Sequence, residues 1–159
     1  MLTETQIGDV WEGQISAEVR SLYFGDLASV YSLRKQWITG LSFFFSSGAA
    51  ATLIAKLPVW FPIALSMIVA IITAYAVAVN LDSKIRTMSK LHYAWNQIGK
   101  DYRRLWNHTF SDEAEGELVD IQRREIEISE LATTDAPNEP KRMLRWTNQV
   151  FKLRRLENA

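Results

Sequence analysis

Between Lys35 and Asp82 the chain carries one side chain charged at neutral pH, Lys56. Gln36 to Ala55 reads QWITGLSFFFSSGAAATLIA, and Leu57 to Leu81 reads LPVWFPIALSMIVAIITAYAVAVNL, uncharged runs of 20 and 25 residues. About 20 apolar residues at 1.5 Å rise cross a hydrocarbon core ~30 Å thick. The two runs therefore predict a transmembrane hairpin, with spans at 36–55 and 59–81. A water-soluble alternative has to bury two helices that are apolar on every side, which the rest of a 159-residue chain is poorly sized to do. The mean hydropathy of -0.08 conceals this segregation.

The flanks fit the same reading. Trp37 and Trp60 stand at the two span starts, where amphipathic rings settle at the headgroup level. Arg34 and Lys35 precede the first span; Lys84 and Arg86 follow the second. Lys56 is the lone base of the connecting turn, so the positive-inside rule predicts both termini in the cytoplasm and the Lys56–Pro62 turn outside. Three regions result: N-terminal cytoplasmic amphipathic helices over 1–35, the hairpin over 36–81, and a cytoplasmic helical region over 82–159. A cleavable signal peptide is not expected, because 36 residues of amphipathic chain precede the first apolar run. The predicted fold class is an all-α integral membrane protein, a two-helix hairpin with a cytoplasmic helical bundle.

The arms show helical periodicity. Ile7, Val10, Trp11, Ile15, Val19, Leu22 and Tyr23 recur at three and four, Gly25 interrupts, and Leu27, Val30 and Tyr31 resume the stripe. Beyond the hairpin, Met88, Leu91, Trp95, Ile98, Tyr102 and Leu105 form an a/d seam. With no proline between Pro62 and Pro137, one helix is expected from the outer turn to about His108. The seam suits either a second copy of the chain or its own N-terminal arm. Ser111 is the expected N-cap of an acidic helix whose first turn holds Asp112, Glu113 and Glu115. That helix has an apolar face of Leu118, Ile121, Ile128 and Leu131. A linker at 133–140 leads to a basic amphipathic helix with Met143, Trp146, Val150 and Leu153 on one stripe. Residues 82–110 hold six bases and two acids, 111–139 two and ten, 140–159 six and one. This alternation predicts helices packed as basic, acidic and basic layers, with contact of the last helix to anionic lipid as the second use. The acidity of the N-terminal arm says nothing about a partner.

Chemistry is sparse. Lacking cysteine, the chain has no disulfide, thiolate metal site or cysteine nucleophile. No glycine-rich phosphate loop, nucleophile elbow or HExxH is present. His92 and His108 read as ordinary surface residues, and the carboxylates of 112–117 lack a calcium loop's alternating donors. No enzyme activity, cofactor or metal is expected. The 18 bases equal the 18 acids, so no nucleic-acid partner is expected either.

Polar residues inside the spans fall on lines. Thr39, Ser42 and Ser46 lie at i, i+3 and i+7; Ser66, Thr73 and Asn80 repeat by heptads. Small residues run beside them, Ser47, Ala51 and Ala55 in one span and Ala70, Ala74 and Ala78 in the other. Such faces let membrane helices approach closely and bond across the seam. The second reading is lining for a pore built from several copies, since two helices enclose no channel alone.

The order of parts resembles the SLATT family of bacterial two-transmembrane proteins. The likeness lies in a helix ending YSLRKQW, paired spans, the basic-flanked helix LDSKIRTMSKLHYAWNQIGKDYRRLW and an acidic helix after it, covering most of residues 20–131. It implies a membrane effector of anti-phage or conflict systems, in the bacterial inner membrane, forming a homo-oligomeric pore when a partner senses infection or a second messenger is made. It supplies no catalytic residues. No attached sensor domain is visible, so a separate cytoplasmic sensor or defence enzyme is the expected partner beside the lipid bilayer. A non-conducting anchor that recruits such an enzyme is the other reading.

Overall fold

The computed structural model describes residues 1–46, 58 and 60–154, and among them it is helical with no strand. The helices are α1 (Glu4–Ser46), α2 (Trp60–Val79), α3 (Leu81–Trp106), α4 (Ala114–Asp135) and α5 (Pro140–Leu153). They fall into two compact units, Met1–Leu27 with Arg86–Ala159, and Ala28–Ile85.

α1 opens on a capping box. The Thr3 hydroxyl accepts the Gln6 N–H at 3.3 Å, and Gln6 Oε1 accepts the Thr3 N–H at 2.8 Å, so two end donors are satisfied reciprocally. The helix then runs 43 residues without a break. Gly25, expected to interrupt it, is instead a contact point: a Cβ there would lie 3.0 Å from His92 Nδ1. The single helix expected from the outer turn to His108 is also divided. Asn80 takes φ 48°, a left-handed value that asparagine tolerates better than most residues. It ends α2, and its Oδ1 accepts the Ser83 N–H at 3.4 Å to start α3.

In the first unit the seam of α3 is the core. Met88, Leu91, Trp95, Ile98, Tyr102 and Leu105 are 0–2 % exposed. They are covered from α1 by Val10, Ala17, Tyr23 and Phe24, and from α4 by Ala114, Leu118 and Ile121, all buried. The two expected uses of the seam are thereby decided within the unit: the chain's own N-terminal arm fills it. Small residues permit the close crossing. A Cβ on Gly13 would sit 2.5 Å from the Tyr102 ring, and one on Gly99 3.6 Å from Ala17. His92 is half-buried rather than open to solvent; its Nδ1 lies 2.8 Å from the Ser21 carbonyl, and the Ser21 hydroxyl donates to the His92 carbonyl at 3.3 Å.

Charges pair differently from the expected layers. Basic α3 does meet acidic α4, through His108–Glu117 at 3.2 Å and Arg104–Glu117 at 3.9 Å, and α4 returns Arg124 to Asp101 at 2.8 Å. Basic α5, however, pairs with acids of α1: Arg142 with Asp26 at 2.8 Å and Arg154 with Glu18 at 2.5 Å. Asp26 also accepts the Trp146 indole N–H at 3.2 Å. The acids of the N-terminal arm thus identify its partner, the chain's own last helix. The bond to Glu139 above all, then that to Asp26, raises the Arg142 guanidinium above its ordinary value. Burial, followed by its 2.8 Å hydrogen bond to Glu125, pushes the Tyr102 hydroxyl up likewise.

Three smaller corrections concern helix ends and faces. Glu113, without a side-chain cap bond, precedes α4, while the Ser111 hydroxyl expected there is buried with no partner among the described residues. Leu131 and Leu153, placed on apolar faces, are 43 % and 69 % exposed. Val150 is the fully buried member of the α5 stripe.

Candidate functional site

The second unit comprises the end of α1, all of α2 and the first residues of α3. Lys35, Ile38, Thr39 and Ser42 follow one another at helical spacing and face Thr73, Val77 and Asn80. Together with Leu81 and Asp82 they enclose a cavity of about 440 Å³. Four of the six polar residues singled out from spacing, Thr39, Ser42, Thr73 and Asn80, therefore share one wall system. Ser66 lies on an exposed stretch of α2 away from it. Ser46 is the last residue of α1, and its side chain lies outside the described set.

Thr73 and Asn80 bond within their own segments. The Thr73 hydroxyl donates to the Val69 carbonyl at 2.8 Å, the back-bond by which threonine satisfies itself in a helix. The Asn80 carbonyl oxygen caps α3, as described above. One charged pair adjoins them: Lys35 Nζ meets Asp82 Oδ1 at 2.5 Å. Spacing alone missed this pair, although its signal was present. Lys35 and Asp82 are the last charge before the uncharged block and the first after it, and an antiparallel hairpin sets such residues opposite one another.

Two more of the interface residues, Arg34 and Lys84, meet at this end. Tyr31, 8 % exposed, has Arg34 and Lys84 each 5.9 Å from its ring centroid. Such cation–ring contacts are worth ~0.5–1 kcal/mol at exposed sites. Trp37 and Trp60 are 70 % and 66 % exposed, and Arg86 is exposed in the other unit. Ala70, Ala74 and Ala78 are exposed on α2; Ser47, Ala51 and Ala55 lie outside the described residues.

The outward surface of α2 is apolar. Ile63, Met67, Ile68 and Ile71 are 53–66 % exposed. Among the described residues no single helix is long and apolar enough to cross a membrane, while Ile63–Val79 with Leu81–Trp106 meets the length and composition test as a pair bent by 41°. No group of three His, Cys, Asp or Glu suited to a metal occurs among the described residues. The wall offers hydroxyls, one amide and one ion pair, a set that can hold water or a partner's polar group but contains no nucleophile with a base beside it. No family model, curated protein or solved structure matches this chain.

Proposed function

We propose that this chain is a membrane effector of a bacterial conflict or anti-phage system. Its hairpin inserts in the inner membrane with both termini cytoplasmic, and several copies assemble into a pore that a partner or signal opens. The observation that carries the membrane part is the outward face of α2, whose large apolar side chains stand uncovered. A contiguous apolar surface of that kind marks contact with lipid or with another chain. The cavity on the inward side, with Thr39, Ser42, Thr73 and Asn80 in its wall, supports a hydrated interior, and the exposed Ala70, Ala74 and Ala78 offer a surface for close helix approach. The conflict-system setting rests on the SLATT resemblance. One observation favours a second reading, a non-conducting anchor that recruits a cytoplasmic enzyme: the Thr73 and Asn80 side chains bond their own backbone and leave less to offer a pore.

Membrane potential in bacteria expressing the full chain separates the two. The native chain depolarises the cell, whereas Thr39→Val with Ser42→Ala reduces the effect at least tenfold and retains crosslinked oligomers. A chain whose two spans are replaced by an unrelated hairpin serves as control. An unchanged potential with the native chain at matched expression, or equal depolarisation by the control, overturns the pore.

A further inference from the structure

The first unit contains a second cavity, of about 470 Å³, that none of the pairings above requires. Four helices and a linker build it: Arg20 and Phe24 of α1, Trp95 of α3, Ser129 and Ala132 of α4, Pro137 and Asn138 of the linker, and Met143 of α5. Its volume lies within the ~300–1,000 Å³ of small-molecule sites, and its walls have their composition, apolar with a few polar groups.

Those polar groups are underused. Trp95 is 0 % exposed, yet its indole N–H has no acceptor among the described residues. A buried donor left unbonded costs ~1–3 kcal/mol, and its indole resonance is a sensitive reporter of what binds beside the ring. The Arg20 guanidinium lies 4.4 Å above the Trp95 ring. It donates to Ser129 Oγ at 3.2 Å and faces Glu125 at 3.7 Å, too far for a hydrogen bond. Glu125 is itself engaged by the Tyr102 hydroxyl at 2.8 Å. An arginine has five N–H donors, and the others of Arg20 meet no protein acceptor among the described residues. The Asn138 amide on the wall is exposed and makes no hydrogen bond to a described residue. The linker beside it is fixed, because Tyr23 donates to the Pro137 carbonyl at 2.6 Å and accepts the Glu139 N–H at 3.2 Å.

We infer that this cavity is a binding site for a small organic carboxylate with a flat apolar body. The carboxylate takes the unspent donors of Arg20, which lies over the Trp95 ring; the body lies among Phe24, Ala132, Pro137 and Met143. Because one wall comes from α5 and another from the linker that precedes it, an occupant joins the last helix to the rest of the unit. The inference is independent of whether the hairpin spans a membrane.

The test uses the full chain, reconstituted and labelled with nitrogen-15 at its six tryptophan indoles, with the Trp95 resonance assigned through Trp95→Phe. The probes are 2-naphthoate and its uncharged analogue 2-naphthamide. Naphthoate shifts the Trp95 N–H saturably and more than any other indole, and naphthamide binds on the order of tenfold more weakly, the worth of one charge-assisted bond. Arg20→Gln makes the two probes equal, and Ala132→Phe, which fills the cavity, removes the shift for both. Met143→Trp fills it from the opposite wall and serves where Ala132→Phe does not fold. The inference is overturned if the Trp95 resonance does not saturate in the native chain, as with a cavity holding water only. It is also overturned if all six indoles shift together, as with general partitioning, or if the shift survives a folded filled variant.

Discussion

Helix α1 is built in opposite senses along its length. In its first part Val10, Tyr23, Phe24 and Leu27 are 0–4 % exposed, whereas further along Trp37, Phe43 and Phe44 are 52–78 % exposed. The same inversion separates Trp95 of α3, fully buried, from Ile71 of α2, 66 % exposed. Where polar residues interleave with apolar ones at the helical period, a helix has an inside, and the chain's own helices cover it. Where apolar residues surround the helix, no single partner face can cover them. Among the described residues the bundle unit thus covers its own apolar faces, and the second unit leaves large apolar side chains exposed.

The sharpest way to break this comparison is to truncate one large side chain in each unit. Trp95→Ala costs ~3–5 kcal/mol, the range for removing a buried aromatic. Ile71→Ala leaves the same urea transition of the bundle within ~0.5 kcal/mol of the native chain. A large loss from Ile71 would mean that the hairpin surface is covered by the chain itself.

A smaller contrast lies between two glycines of α1. Gly13→Ala sets a methyl against the Tyr102 ring, and such overpacking costs ~1–3 kcal/mol despite alanine's better helix propensity. Gly8→Ala meets nothing within 4 Å and gains ~0.5–1 kcal/mol. Thermal midpoints of the two variants should move in opposite directions.

The smallest contrast is between two carboxylates. Asp26, 21 % exposed, accepts both Arg142 and Trp146, so Asp26→Asn costs about 1 kcal/mol and speeds amide exchange through α5. Asp82, 62 % exposed, has the 47 % exposed partner Lys35, and Asp82→Asn costs only ~0.2–0.5 kcal/mol. Equal effects would remove the distinction between an ordered clamp and a surface pair.

The α3 seam was legible because a three-and-four spacing leaves one possible face, and all six of its residues are buried. The grouping of Thr39 with Ser42 was legible for the same reason. Pairing between helices was less so. Charge blocks show that α5 needs acids but not which helix offers them, and the answer, Glu18 and Asp26 of α1, depends on tertiary neighbours more than 110 residues away. Gly25 and Asn80 were misjudged in opposite directions. Glycine reads as a breaker although a helix accepts it where His92 needs the room, and asparagine reads as helical although it tolerates a positive φ. For Ser66, the residues that an antiparallel hairpin would set opposite lie past Ser46, outside the described part of the chain.

The first unit draws on two stretches, 1–27 and 86–159, with the whole hairpin between them. On a ribosome adding ~5–20 residues each second, the opening segment waits roughly 3–25 s before the helices that cover it have been made. Throughout that interval Val10, Tyr23 and Leu27 are without their native cover, and the hairpin is synthesised during it. Closure of the bundle is therefore a late event in the life of each molecule, timed to follow a finished hairpin.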